Sequence, residues 1–408
     1  MNEPQTPASL GFRMPAEWES HDATWIAWPH NREDWPGKFG PIPWVYTEIV
    51  RHLSQGEIVN ILVDGATSRR KAAERLSRAG IDPTRVAFHK VRTDRVWTRD
   101  TGPTFLVNRD HAAPFALGLV DWSFNGWAKY ADHKRDRRVP RRIAKHLGLE
   151  HWKPEVEIDG KSRRVVLEGG SIDVNGKGTL LTTEECLLSD VQARNPGLSK
   201  ESLERLFADY FGVTKTIWLG RGIVGDDTHG HVDDLARFVD ASTIVTVVET
   251  DPADENHDAL AENLDRLRSA TDQDGNPFRV VTLPMPQAVM FEGVRLPASY
   301  ANFYIANGLV LVPTFNDPAD RVALDTLASL FPSRRVVGIH AIDLVWGLGT
   351  IHCLTQQQPA VALPVEATSG IAEEPTSTPE PQDDHETSRE SGETPSPSDS
   401  DVVSSPDE

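Results

Sequence analysis

The chain has 408 residues, and its 42 Lys plus Arg face 61 Asp plus Glu, a formal net charge of −19 that disfavours unspecific attraction to nucleic acid or anionic membrane. A hydrophobic content of 38% with 11 tryptophans is enough for a large buried core. Two cysteines, Cys186 and Cys353, are no disulfide framework and suit a reducing compartment.

The opening MNEPQTPASLGF has neither a basic start nor an apolar core, and no later stretch approaches the ~18 apolar residues of a membrane span, so a cytoplasmic protein without membrane partners is expected. Strand-like β-branched runs then alternate with helical patterns. The runs predict strands at 58–63, 86–91, 165–167, 179–182, 243–249, 279–283, 303–306, 309–313 and 335–339. Helical periodicity predicts helices at 44–54, 67–79, 139–147, 200–211, 256–270 and 317–330. Such alternation points to an α/β fold. Two glycine turns, Asn175-Gly176-Lys177-Gly178 and Asn307-Gly308, each join two strand-like runs and predict antiparallel hairpins. A mixed, repeated unit is therefore expected rather than an open, doubly wound parallel sheet. From residue 366 the sequence is rich in Ser, Thr, Pro, Glu and Asp, lacks aromatics, and carries 13 acidic residues against Arg389, a charge of −12. It buries too little apolar surface to offset the entropy of ordering, so one folded domain over 1–365 and a disordered acidic tail over 366–408 are expected.

Four segments concentrate chemistry. Cys353 follows two glycines in Gly347-Leu348-Gly349-Thr350-Ile351-His352-Cys353 and precedes a polar run that is odd for a core strand; it reads either as a site or as a packed thiol. Cys186, without such flanks, reads as packing. The segment from Gly225 to Asp234 holds two histidines and four carboxylates, and His229, His231 and Asp233 would share one face if it is extended. His with Asp also suits zinc or manganese, although neither an HExxH helix nor a cysteine pair accompanies it. In Trp97-Thr98-Arg99-Asp100-Thr101-Gly102-Pro103 the charged pair reads as a site or as a local salt bridge, and Glu168, before Gly169-Gly170, as a site or an exposed turn residue. Asp100, Glu168, Asp233, Asn302 and Cys353 are spaced by 68, 65, 69 and 51 residues, which suggests copies of one supersecondary unit. One thiol, one histidine and three carboxylates suit a planar guanidinium, which pairs with carboxylates through parallel hydrogen bonds.

The motifs WTRDTGP, LEGGSID, DDTHGHVDD, SYANFYIAN and GTIHCLTQQ resemble those of the agmatine deiminase and bacterial-type peptidyl-arginine deiminase family, over roughly residues 11–360. The resemblance implies a five-bladed, pseudo-symmetric α/β propeller, the pentein fold, with the site on its axis. It further implies Cys353 as nucleophile, His231 as general acid/base, Asp100 and Asp233 as guanidinium clamps and Glu168 as a further site carboxylate, with Trp97 and Asn302 lining the substrate. The implied reaction converts agmatine and water to N-carbamoylputrescine and ammonia through a covalent thiouronium, with no cofactor and no metal. The implied partner is a small guanidine cation, with room for a homo-oligomer. Two departures bear on the substrate: His229 stands where many agmatine deiminases have Asp, and Asn125–Tyr130 lacks the paired glycines often seen after FNxW. Arginine or peptidyl-arginine on the same fold, and a guanidine-binding or metal-dependent protein without thiol chemistry, are the competing expectations.

Overall fold

Five mixed sheets built on one plan hold most of the strands. The computed structural model describes residues 5–108, 116–158 and 160–361, and the acidic segment expected to form a tail, 366–408, lies outside the described residues. In three sheets a short strand pairs antiparallel with a central strand, which pairs parallel with a third after a helical crossover. These sheets are Asp173–Val174, Thr179–Thr183 and Lys215–Leu219; Ala236–Phe238, Thr243–Val248 and Arg279–Pro284; and Tyr304–Ala306, Leu309–Thr314 and Arg335–His340. Their crossovers carry the helices Lys200–Phe211, His257–Ser269 and Ala319–Leu330. A fourth sheet repeats the plan with an added edge, in the order Phe12–Arg13, Thr104–Asn108, Leu117–Val120 and His151–Trp152. In the fifth, Gln356–Pro359 pairs antiparallel with His21–Ala27, followed in parallel by Ile58–Val63 and Val86–Lys90.

Local chemistry explains these elements. The central strands Thr179–Thr183 and Leu309–Thr314 are buried almost throughout, which is why they read as continuous runs rather than alternating ones. Helix Lys200–Phe211 buries Leu203, Leu206, Phe207 and Phe211, begins where the Ser199 side chain accepts from the Ser202 N–H, and ends at Gly212. All six expected helices form, with ends within two residues of the pattern. Both expected hairpins form too, the first closed by Asn175 Oδ1 accepting from the N–H groups of Lys177 and Thr179. Among the described residues no helix is long and apolar enough to cross a membrane.

Two expectations need correction. Residues 165–167 are buried but form no strand: their backbone makes one bridge to Ser123, and the Val166 N–H and carbonyl are taken by the Asn195 side chain. The polar run after Cys353, odd for a core strand, is one. Its glutamines satisfy buried donors, Gln357 Oε1 accepting from Arg99 Nη1 at 2.7 Å and Gln358 Oε1 from Trp25 Nε1 at 2.9 Å.

The long sequence period has a structural counterpart. Asp100, Glu168, Asp233, Asn302 and Cys353 each stand two to five residues before the antiparallel strand of a different sheet, namely those opening at Thr104, Asp173, Ala236, Tyr304 and Gln356. Sheets far apart in sequence are also tied directly. At the Asn307-Gly308 turn, Asn307 Oδ1 accepts from the His21 N–H at 3.0 Å and its Nδ2 donates to the His21 carbonyl at 2.7 Å. Asn307→Ala removes both bonds and should lower stability by about 2 kcal/mol. Chemical denaturation should show the lower midpoint with an unchanged slope, and turnover per folded molecule should be retained.

Candidate active site

Short helical turns position the chemistry ahead of four of the sheets: Thr98–Thr101, Gly169–Ser171, Val232–Asp234 and Ile351–Leu354. They meet closely enough to require glycine. The Gly170 N–H donates to Asp100 Oδ1 at 3.0 Å, and a Cβ at Gly170 would lie 2.5 Å from His231 Nδ1. A Cβ at Gly349 would lie 2.8 Å from the Trp97 ring. The approach to His231 is shaped by Asp226, whose carboxylate accepts from the N–H groups of Thr228, Gly230 and His231 at 2.8, 2.8 and 3.0 Å.

Cys353, 6% exposed, lies at a cavity of about 260 Å³ also lined by Trp97, Asp100 and Trp127. Its Sγ is 3.1 Å from Asn302 Nδ2 and 3.7 Å from Asp233 Oδ2. Asn302 is itself fixed, its Oδ1 accepting from Thr350 Oγ1 at 2.6 Å and from the His352 N–H at 3.0 Å. His231 faces three carboxylates: Nδ1 is 3.8 Å from Asp100 Oδ1 and 4.0 Å from Asp233 Oδ1, and Nε2 is 3.8 Å from Glu168 Oε2. Among the described residues neither ring nitrogen finds a hydrogen-bond partner, and Asp233 Oδ1 is a buried acceptor without a donor. Asp100 is oriented by Trp127 Nε1, 2.9 Å from its Oδ2, and Glu168 by Arg194 Nε, 3.1 and 3.3 Å from its two oxygens.

Charge is unevenly balanced here. Burial, with the Asp233, Asp234 and Asp100 carboxylates, pushes the Cys353 thiol well above its ordinary pKa, against the Asn302 hydrogen bond. Burial also raises Asp100 to about 6, with Asp233 and Glu168 adding to the rise and His231 opposing it. Burial disfavours the His231 imidazolium, yet Asp100, then Cys186 and Glu168, hold its pKa well above the usual value. Burial would raise Glu168 as well, but Arg194 and then His231 keep it low. A planar cation between Asp100 and Asp233 would relieve this surplus and bring its central carbon toward the sulfur.

Of the residues singled out from sequence, Asp100, Glu168, His231, Asp233, Asn302 and Cys353 converge, and Trp97 lines the same cavity. Two readings fail. His229 does not share a face with His231, because the Asp226-centred turn replaces an extended strand; it has φ +63° and turns toward Ser189 Oγ at 3.3 Å. Arg99 makes no salt bridge with Asp100 but points away to Glu17, at 3.1 Å. Cys186 packs in a hydrophobic cluster as expected, and it, Glu168 and His231 each bring a ligand-type atom within 4.8 Å of the other two. That set could hold a metal ion, although the Arg194 guanidinium already neutralises Glu168. The segment without paired glycines still turns as sharply, Trp127 and Ala128 adopting φ of +56° and +55°, held by the Trp127–Asp100 bond and by Gln192 Nε2 on the Trp127 carbonyl. Trp127, Arg194, His352 and Glu17 were not foreseen; of these only Trp127 and His352 lie inside segments whose composition drew attention.

The Porphyromonas-type peptidyl-arginine deiminase family matches residues 13–359. An agmatine deiminase of Ectopseudomonas mendocina is 35% identical over 378 residues, covering 87% of this chain and 97% of that protein. The structure of an agmatine deiminase of Enterococcus faecalis is 32% identical, covers 88% of this chain and 98% of its own, and superposes with a TM-score of 0.78. A cysteine-to-serine variant of C. jejuni agmatine deiminase with substrate bound is 28% identical over 85% of this chain and 96% of its own, with a TM-score of 0.73. The chain belongs to the Porphyromonas-type peptidyl-arginine deiminase family, and its mixed α/β fold is that of the agmatine deiminases.

The electrostatics make a prediction about reactivity. Asp100→Asn removes a negative charge that opposes the thiolate, so the Cys353 pKa should fall. Alkylation of Cys353 by iodoacetamide near neutral pH should then accelerate about tenfold, one pKa unit of thiolate population. Peptide mass mapping against Cys186 reports the site, and turnover should drop in the same variant. An unchanged alkylation rate would separate Asp100 from the thiol.

Proposed function

We propose that this member of the family hydrolyses the guanidinium group of agmatine, giving N-carbamoylputrescine and ammonia, with 1–365 as the catalytic domain. The observation that carries the reading is the meeting of Cys353 Sγ, His231, Asp100 and Asp233 beside a cavity that Cys353 and Asp100 line, with Asp233 Oδ1 a buried acceptor without a donor among the described residues. Asp100 and Asp233 clamp the guanidinium through its N–H groups, while Trp97 and Asn302 line the substrate. Arrival of the cation lowers the pKa of the adjacent thiol, whose proton leaves to solvent. The Cys353 thiolate adds to the guanidinium carbon, and His231, held protonated by its carboxylate neighbours, gives its proton to the departing nitrogen as ammonia. The resulting S-linked thiouronium is attacked by water that surrenders a proton to His231. Breaking of the C–S bond, with the remaining hydroxyl proton passing to the sulfur, then releases the ureido product and restores the thiol. Glu168, neutralised in part by Arg194, supports the imidazolium during both halves.

The cavity favours an amine over a carboxylate at the far end of the substrate. Glu33, Asp34, Asp100 and Asp227 line it together with the guanidinium of Arg95, and Lys129 pairs with Asp227. Arg95 is already engaged, 2.7 Å from Asp34, 3.2 Å from Asp132 and 4.1 Å from the centre of the Tyr130 ring. Arginine would carry its own carboxylate into that acidic mouth, whereas agmatine carries a second cation. The five sheets, each preceded by one site residue, are read as five blades about a common axis, the Gln356–Pro359 and His21–Ala27 pairing joining the last to the first. The net negative charge of the sequence and the two free cysteines fit a cytoplasmic enzyme.

Colorimetric detection of ureido product with agmatine, arginine and an arginine-containing peptide tests this. Agmatine should exceed arginine by about 100-fold in kcat/KM, and Cys353→Ala should abolish product from every substrate. Product formed by Cys353→Ala would exclude the thiol mechanism, and a preference for the peptide would move the substrate assignment.

A further inference from the structure

The residue immediately before the thiol is a buried histidine bonded at both ring nitrogens. His352 Nδ1 lies 2.7 Å from Asp233 Oδ2, and His352 Nε2 lies 2.9 Å from Glu17 Oε2. Both partners are carboxylate oxygens, acceptors to which a ring N–H donates. Glu17 is bound in its charged form by Arg99 Nη2 at 3.1 Å and Arg237 Nη2 at 2.9 Å, and its Oε1 accepts from the Ile305 N–H at 2.8 Å. The His352 backbone is equally fixed, its N–H donating to Asn302 Oδ1 at 3.0 Å and its carbonyl accepting from Arg99 Nε at 3.4 Å.

We infer that His352 is a positioning residue: its Nδ1–H anchors Asp233 Oδ2, fixes the rotation of that carboxylate, and leaves Oδ1 as the oxygen presented to the guanidinium. The inference rests on the reading of Asp233 as a substrate clamp. A carboxylate with both oxygens free can turn toward His231 or toward the sulfur, whereas one anchored oxygen leaves a single acceptor in register for one guanidinium N–H. Asp233 Oδ1 has no donor in the free protein, which is the state such an anchor would preserve for substrate. Oδ2 is also the oxygen 3.7 Å from Cys353 Sγ, so the Nδ1–H screens the sulfur from the nearest negative charge. Arg237 and Arg99 act one step further back by fixing Glu17.

The arrangement has a pH signature. The charged groups facing Asp233 are His231, Asp234 and Arg237 near its own turn, Asp100 from the turn at Thr98–Thr101, and His352 and Cys353 from the turn at Ile351–Leu354. Burial would raise the Asp233 pKa, and His352 leads the groups that keep it low. Asp233 must be ionised to hold a cation. Removing the His352 proton donor therefore moves loss of substrate binding to higher pH on the acid side.

Two substitutions separate the two ring nitrogens. In His352→Asn the side-chain amide reaches about as far as Nδ1 and keeps a donor for Asp233; in His352→Gln it reaches about as far as Nε2 and keeps only the Glu17 link. Full-length wild type and both variants are compared by agmatine kcat and KM across pH and by melting temperature. His352→Asn should stay within about 5-fold of wild type in kcat/KM. His352→Gln should lose about 10- to 100-fold, the range of one charge-assisted hydrogen bond, with its acid limb displaced upward. Equal losses and equal profiles in the two variants would overturn the inference. Proton NMR of ¹⁵N-histidine-labelled wild type tests it without relying on either variant folding: His352 Nδ1 should carry a hydrogen-bonded proton, and an unprotonated Nδ1 would overturn it. Absence of agmatine turnover by wild type would instead count against the substrate reading, and the NMR result would stand apart from it.

Discussion

A surplus of buried carboxylate around a neutral thiol is the constraint on which the rest depends. Asp100, Glu168, Asp233 and Asp234 lie within a few side chains of Cys353, each nearly inaccessible to water. Burying that much negative charge is unfavourable unless it is matched, and the protein matches it only in part. Arg194 answers Glu168 and His352 answers Asp233, while Asp234 and Asp100 are pushed toward their neutral forms. The remainder is left for a ligand, and a flat, delocalised cation with several N–H donors is the species that best fills it. In the proposed mechanism nucleophile activation is thereby coupled to recognition. The carboxylates that raise the thiol pKa include Asp100 and Asp233, the two proposed to grip the cation.

The fold delivers these groups by repetition. Each of five sheets begins with a short antiparallel strand, and the residue or turn just before that strand enters the site. No single element carries the chemistry, so the geometry depends on long-range ties such as Asn307 to His21 and Arg99 to Gln357. The turns meet so closely that Gly170 and Gly349 admit no side chain. His231 sits where turns from three sheets converge, which explains how one imidazole approaches three carboxylates without a firm bond to any of them.

Much of this was legible in the sequence, for identifiable reasons. Helices such as Val139–Leu147 and Lys200–Phe211 show a full amphipathic period and a terminal glycine. The central strands are runs rich in β-branched and apolar residues. The site residues stood out because carboxylates, histidines and glycines crowd into short segments with little structural reason to be there. Most of what failed did so because its determinants are remote, and one reading failed on a local turn. The strand Gln356–Pro359 looks polar until Arg99 and Trp25 supply its partners. His229 was grouped with His231 by spacing alone, and one carboxylate, Asp226, gathering three backbone N–H groups converts that spacing into a turn. Arg194 and Glu17 act on partners 26 and more than 200 residues away, and one sequence carries no mark of such a pairing.

The account turns on a covalent bond between the sulfur of Cys353 and the carbon of a guanidinium. Rapid acid quenching during agmatine turnover, followed by peptide mass spectrometry, looks for that bond directly. The peptide containing Cys353 should carry the mass of agmatine less ammonia, at a level that rises and decays with turnover. Turnover without any such adduct, or an adduct confined to Cys186, would contradict it.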